Sequence, residues 1–478
     1  MNILFIAAEA TPLVKIGGLA DVVGSMPKAL KQFGHDIRIL LPNYNVLHIH
    51  SDVNMEKTSE IDDFIINVSG NAEKFSLYIV EQYSDLKYYL LNNTMLSNSD
   101  NIYDSNELKR FLLFSKGAVE LLHQLDWQPD IIHCHDWHTA LIPMWLRESK
   151  WKGVTIFTIH NLAYQGFFDR EFLAKNNLER YWKYKHHCFS ELPLNFLCQG
   201  IMHADVLTTV SENYASEILQ SEYGMGLDCL LRDRQKSFYG IINGIDYEVY
   251  NPEIDQHLAA TFSISNLEGR SINKAALQEI VGLPVDLNIP VIGMVSRLDE
   301  QKGFDLVVAG LSSLIDRNNI QVIVLGRGQE YYRNMMKELT HKYPKNLVTW
   351  TDFDEPLARL IYGGCDIFLM PSRFEPCGLG QLIAMRYGAI PVVRHTGGLV
   401  DTVIDLSPDL SNGTGFVFTD YSVEAMVNAI KRAINTYAEK RHWRSVIQRI
   451  MSQDFSWQNS ARKYEDMYKL ATEHKKNG

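Results

Sequence analysis

The stretch "VIGMVSRLDEQKG", Val291–Gly303, decides the fold. A short apolar, β-branched run ends in a charged cluster that holds Arg297 and Lys302, and a helical stretch, Phe304–Ile315, follows at once. Apolar runs bounded by turn signals suit strands covered on both faces, as in a parallel sheet. Downstream the unit recurs: "QVIVLGRG", "NLVTWTDF", "DIFLMPS", "IPVVRHTGG" and "TGFVF" read as strands, with helices such as Tyr331–Lys342 between them. Upstream lies a polar connector, "NPEIDQHLAATFSISNLEG", Asn251–Gly269. Before it, "NILFIAA", "DIRILLP", "DIIHCH", "VTIFTIH", "DVLTTVS" and "YGIINGI" form an earlier strand series with polar residues at their carboxyl ends. Two successive βαβ series predict an α/β chain with two doubly wound parallel sheets. Such sheets take ligands at the carboxyl ends of their strands, so two of them facing each other would make a cleft. The expected division is residues 1–255, residues 256–455, and a closing helix over 456–478. That helix is amphipathic, and its Trp457, Tyr464, Met467, Tyr468 and Leu470 need a surface to cover, expected on the first domain.

At 478 residues the chain is too long for one core. Hydrophobic content of 46% and charged content of 22% are ordinary for a folded protein. The net charge of −11 argues against nucleic-acid and anionic-membrane partners, so the counter-charges of any anionic ligand must be local. Six cysteines, with no CxxC pair, fit a reducing compartment better than a disulfide scaffold. The start "MNILFIAAEA" has no basic n-region, and no stretch approaches the ~18 apolar residues of a spanning helix. A cytoplasmic location is expected, with a plastid open if a transit peptide has been removed.

Several strand ends carry groups suited to an anionic, hydroxyl-rich ligand. In "LVKIGGLADVVG", Leu13–Gly24, the pair Gly17-Gly18 opens a helix whose first N–H groups attract anions, with Lys15 beside it. A turn that merely needs small residues would look the same. Arg297 gives a planar fork and Lys302 a point charge, a combination suited to a diphosphate unless both only pair with Asp299 and Glu300. "RHTGGLVDTV", Arg394–Val403, repeats the strand–turn–helix design through Thr396, Gly397 and Gly398. In "PSRFEPCGLGQ", Pro371–Gln381, Pro376 keeps Glu375 extended, and Cys377, Gly378 and Leu379 open a helix. A carboxylate beside such donors can bind sugar hydroxyls, or simply cap the helix. "HCHDWH", His133–His138, joins Asp136 to Trp137 and His138, a polar hand and flat rings for carbohydrate. Its three imidazoles lack a recognised metal spacing. Asp352-Phe353-Asp354 matches a DxD pattern, a short match with many false positives. His160, in "TIHNLAYQG", ends another strand.

Together "KIGGLADVVGSMPKAL", "HCHDWHTALIP", "TIHNLAYQG", "INGID", "SRLDEQKG", "PSRFEPCGL" and "TGGLVDTV" closely resemble the bacterial glycogen synthase and plant starch synthase family, glycosyltransferase family five, over about residues 1–470. The resemblance implies a GT-B fold of two Rossmann-like domains. It also implies retaining transfer of glucose from ADP-glucose to the non-reducing 4-hydroxyl of an α-1,4-glucan or malto-oligosaccharide. By the same resemblance Arg297 and Lys302 neutralise the leaving diphosphate, and Lys15 with Gly17 and Gly18 wall the donor from the other domain. Glu375, with the N–H groups of Cys377 and Gly378, grips the glucose 3- and 4-hydroxyls, and His160 and Asn243 meet its 6-hydroxyl. Asp136 stands near the reacting centre, Trp137 and His138 on the acceptor side, and Phe353 against the nucleobase.

Two positions depart from the family pattern: Ile16 replaces the commoner Thr of "KTGGL", and Gly380 stands where Thr usually follows "EPCGL". Ile383 occupies the place of a second glutamate in the relatives of glycosyltransferase family four, which favours the synthase reading. No carboxylate is obviously placed as a nucleophile, so same-face attack with the diphosphate taking the proton is expected. No cofactor and no metal are expected, since arginine and lysine can supply the counter-charge. A phosphorylase-like enzyme would need a Schiff-base lysine for pyridoxal phosphate, and a glucan-binding protein without catalysis would bind amylose but no nucleotide.

Overall fold

The computed structural model describes residues 1–47, 55–58, 61–83, 86–98, 101–352 and 354–477. The chain divides into two compact units: Met1–Asn243 with Trp457–Gly478, and Gly244–Ser456.

The second unit is built on a six-stranded, all-parallel sheet. Its order is Leu347–Trp350, Gln321–Leu325, Val291–Val295, Ile367–Met370, Ile390–Arg394 and Phe416–Phe418. Numbered along the chain this is the 3-2-1-4-5-6 arrangement of a Rossmann sheet, so the order reverses between Val291–Val295 and Ile367–Met370. The loops after those two strands are Ser296–Gly303 and Pro371–Leu379, the segments singled out from sequence. The four inner strands are buried almost completely, as continuous apolar runs require, whereas the edge strand Leu347–Trp350 is partly open, with Trp350 40% exposed.

The boundary lies earlier than the expected 255, because residues 244–255 belong to this unit. Tyr247 and Tyr250 pack against its core. Asp255 is buried, accepting from Tyr387 Oη at 2.5 Å and pairing with Arg359 at 3.4 Å. The polar composition of the connector hid this anchoring.

In the first unit seven parallel strands run in the order Phe238–Gly240, Val206–Thr209, Val154–Ile159, Ile131–His135, Asn2–Ile6, Asp36–Pro42 and Leu86–Asn92. Here too the order reverses beside the first strand, between Asn2–Ile6 and Ile131–His135. An antiparallel extension, absent from the sequence reading, adds Phe64–Val68 and Asn71–Tyr83. These two strands are joined by Ser69 and Gly70 at φ 58° and 85°, the left-handed pair of a two-residue hairpin.

The closing helix, Trp457–Asn477, belongs to this unit. Trp457, Ala461, Tyr464, Met467, Tyr468 and Ala471 enter the same core as Phe5, Val23 and Leu30. Leu470, expected to need cover, is 51% exposed, and the small Ala471 sits inside instead. Tyr468 Oη and His133 Nδ1 lie 2.7 Å apart, and Lys475 pairs with Asp205 at 2.7 Å.

One cysteine expectation is corrected. Cys188 and Cys229, 41 residues apart, form a disulfide, a pairing invisible to a search for close spacing. No helix among the described residues is long and apolar enough to cross a membrane.

Candidate active site

In the second unit the chemistry gathers at the sheet's reversal point. Lys302 Nζ donates to both carboxylate oxygens of Glu375, at 2.8 and 2.6 Å, and Ser372 Oγ donates to Glu375 Oε2 at 2.8 Å. Glu375 is only 5% exposed, so its charge is held by named partners rather than by water. The sequence alternatives for Lys302 and Glu375 are both superseded: the lysine does not pair with Asp299 or Glu300, and the glutamate does not cap the following helix. For Arg297 the bland expectation holds in part, since its guanidinium lies 3.2 Å from Asp299 and donates to Gln301 Oε1 at 2.9 Å. Gln301 O accepts from Arg373 N–H at 2.8 Å, which ties this loop to the one bearing Glu375.

The Thr396-Gly397-Gly398 turn closes on the same loop. Gly398 N–H donates to Glu375 O at 3.0 Å. Gly397 has φ 50°, and a Cβ there would lie 1.9 Å from Glu375 O. The glycine is therefore required by close backbone approach, and it fixes where the Glu375 carboxylate can stand. Gly397→Ala is expected to lower kcat roughly 10²-fold by displacing that carboxylate, while the far-ultraviolet spectrum stays unchanged. Steady-state kinetics check this, and wild-type turnover would show that the contact does not set the site. Thr396 Oγ1 is buried with no hydrogen-bond partner, and Cys377 is buried beside the turn. Gly378 stands at φ 72°. Leu379 precedes the helix Gly380–Arg386 without a side-chain cap. At Gly380, a Cβ would stand 3.1 Å from the Phe368 ring, so a larger residue there requires that ring to shift by a few tenths of an ångström.

The first unit presents a different arrangement from the expected anion cradle. The Glu9 carboxylate accepts from the N–H groups of Ile16 and Gly17, at 2.6 and 3.0 Å, and from Tyr103 Oη. The loop that opens the helix Gly18–Lys31 already holds an anion, and that anion is internal. Lys15 pairs with Asp21 at 2.7 Å, and Ile16 is 62% exposed. Burial, then the charge of Glu9, pushes the Tyr103 phenol well up, so it stays a donor.

At the end of the strand Ile131–His135, Asp136 adopts φ 56°, a left-handed conformation rare outside glycine and frequent at functional sites. Its Oδ1 accepts from His160 N–H at 2.8 Å. Burial raises its carboxyl to about 7 despite the N–H groups of His160 and Asn161. His160 Nε2 lies 2.9 Å from His135 Nδ1, so one ring donates and the other accepts. Burial holds His160 and His138 down to about 3, and His133 and His135 well below their ordinary value.

Trp137 and His138 are corrected: at 4% and 5% exposure neither offers a face to an acceptor. The indole lies against Phe111 and against Gly166, where a Cβ would sit 2.3 Å from the ring, and His138 packs on Phe111. Asn243 Oδ1 is buried without a hydrogen-bond partner. Phe353 lies outside the described residues. The DxD pattern dissolves, since Asp354 caps a helix through Leu357 N–H at 2.9 Å. His133 is satisfied by Tyr468 and Thr158, which removes it from any metal set.

Two groups escaped the sequence reading. Glu9 ends the first strand's apolar run, and its burial was the missing signal; Ser372 was hidden beside the more conspicuous Glu375.

Two Rossmann-like sheets with charged groups at both reversal points define a GT-B glycosyltransferase. The starch synthase catalytic domain family matches residues 2–233, and the group 1 glycosyl transferases match residues 279–448. A glycogen synthase of Geotalea daltonii is 43% identical over 98% of this chain and 99% of its own. One from Thermotoga maritima is 41% identical, with the same coverage. The catalytic domain of starch synthase IV from Arabidopsis thaliana, solved with ADP and acarbose, superposes with a TM-score of 0.91. It is 32% identical over 98% of this chain and 99% of that one. Sucrose-phosphate synthase from Thermosynechococcus elongatus, 17% identical with a TM-score of 0.63, shares the fold. The chain belongs to the glycogen and starch synthase family, and its function is that of a glycogen/starch synthase.

Proposed function

We propose that the chain binds ADP-glucose and passes its glucosyl group to the non-reducing 4-hydroxyl of an α-1,4-glucan, retaining the anomeric configuration and using no metal. The reading is carried by the cluster of Lys302, Glu375 and Ser372 at the Rossmann reversal point. It is supported by a starch synthase structure that contains ADP and acarbose.

An ammonium has three N–H donors, and Glu375 takes two, which leaves one for a phosphate oxygen. Arg297 adds a fork whose exposed guanidinium can turn from Asp299 to the diphosphate. Negative charge grows on that diphosphate as the anomeric bond stretches, so fixed cations favour the transition state over the ground state. Glu375 and the N–H groups beside it bind the glucose 3- and 4-hydroxyls. His160, neutral at working pH, and Asn243, through its unpartnered Oδ1, meet the 6-hydroxyl. Asp136 faces the developing oxocarbenium charge. The acceptor hydroxyl attacks from the face the diphosphate leaves, and a phosphate oxygen takes its proton.

The test is incubation with ADP-glucose or UDP-glucose and a malto-oligosaccharide, following chain length. Chain growth with ADP-glucose, unchanged by EDTA, is the expected result. Growth abolished by EDTA and restored by Mg²⁺ would overturn the metal-free mechanism.

A further inference from the structure

The first unit gathers donors that the proposed reaction does not use. One donor atom from each of His186, His187, Cys188 and Asp233 lies within 4.8 Å of the others. Cys229 joins them through its bond to Cys188. We propose that, with the two cysteines reduced, Cys188, Cys229, His187 and Asp233 hold a zinc-class divalent ion, and that the disulfide is the metal-free form of the same site.

The distances carry the argument. His187 Nε2 lies 3.4 Å from Cys188 Sγ, 3.9 Å from Cys229 Sγ and 3.4 Å from Asp233 Oδ1. A tetrahedral zinc ion with bonds of about 2.0–2.3 Å separates its ligand atoms by about 3.3–3.8 Å. The imidazole nitrogen therefore already stands at tetrahedral-edge spacing from Cys188 Sγ and Asp233 Oδ1, and just beyond it from Cys229 Sγ. The two sulfurs must part from a bond to a contact, and the remaining ligand atoms, already within 4.8 Å of one another, need only small shifts. A disulfide alone has no need of an imidazole and a carboxylate converging on it.

Local structure supplies the set from two short segments. Cys229 and Asp233 are four residues apart on the helix Asp228–Asp233 and share a face. His187 and Cys188 lie in the turn closed by the bridge between His186 and Phe189. His186 is a positioning residue. Its Nδ1 accepts from Cys188 N–H at 3.4 Å, so the proton sits on Nε2, which donates to Asp233 Oδ2 at 2.9 Å. That bond aims the other carboxylate oxygen at the ion, the usual task of the shell behind metal ligands.

The interconversion balances with a dithiol as reductant. The dithiol gives two electrons and two protons to the Cys188–Cys229 bond and becomes a disulfide itself. The two thiols then release their protons as Zn²⁺ binds the thiolates. In the reverse direction a disulfide oxidant takes two electrons from the thiolates and two protons from water to become two thiols, the Cys188–Cys229 bond re-forms, and Zn²⁺ is freed.

The test uses the full chain, reduced anaerobically with a dithiol and dialysed against Zn²⁺. About one zinc per chain is expected, with release of zinc on reoxidation. Cobalt in place of zinc should give an intense thiolate-to-metal absorption band and tetrahedral d–d bands. Cys188→Ser/Cys229→Ser should lose the zinc and the band. His186→Gln should keep the stoichiometry but weaken affinity roughly 10–100-fold. In the unmutated chain, zinc should protect Cys188 and Cys229 from alkylation, which keeps the test independent of how the variants fold. Equal zinc in the serine variant, no thiolate band, or no protection would each overturn the site.

Discussion

Lys302→Ala is expected to lower kcat by roughly 10²–10³-fold, the cost of losing one fixed donor to developing charge. The structure adds a second effect. Lys302 supplies both of its contacts to a carboxylate that is almost fully buried, so its removal leaves Glu375 with Ser372 alone. Breaking such a pair by deleting one partner costs about 3–5 kcal/mol. The two losses separate in Lys302→Ala/Glu375→Gln, where the amide no longer needs a counter-ion. Thermal unfolding of the double variant should return toward wild type while turnover stays low. If turnover in Lys302→Ala is near normal, the lysine is only a structural partner of Glu375, and the phosphate role fails.

Asp136→Asn is expected to stabilise the first unit above neutral pH while lowering kcat roughly 10²-fold or more. The sign follows from proton linkage. Burial raises the folded carboxyl to about 7, against an ordinary value of about 3.9 in the unfolded chain. Between those values the folded state binds more protons than the unfolded state, so stability falls as pH rises through that window. The asparagine cannot ionise and escapes this loss. Its melting temperature should exceed that of wild type at pH 8, and the difference should fade toward pH 4. The buried imidazoles act in the opposite sense, weakening both proteins alike as pH falls below about 6.5. Melting curves across pH decide the matter. A gain of equal size at every pH would mean that packing, not the carboxyl charge, is responsible.

What the sequence made legible was whatever burial writes as pattern. Val291–Val295 and Ile367–Met370 are covered on both faces, so their apolar runs announced strands and their ends announced a site. The hairpin over Phe64–Val68 and Asn71–Tyr83 was missed because its strands are partly exposed, with Ile65 67% in solvent. Within the site, residue types were readable but partners were not. Lys302 and Glu375 are 73 positions apart, and nothing in either motif says that they meet. Glu9 illustrates the same limit: it gives the N–H groups of Ile16 and Gly17 an internal carboxylate, and Asp21 gives Lys15 one, where the motif alone reads as open to an anionic ligand. Trp137 failed differently, since an aromatic residue at a strand end reads the same whether its face is open or packed under Gly166.

Ile245 N–H donates to Phe455 O at 2.8 Å, so the second unit's entrance and exit adjoin, and everything between them is one uninterrupted stretch of chain. The first unit, by contrast, takes part of its interior from Trp457, Tyr464 and Tyr468 near the carboxyl terminus. On a ribosome the order of completion is therefore inverted. The domain begun second can finish first, and the domain begun first waits, with apolar surface uncovered, for the last helix to emerge.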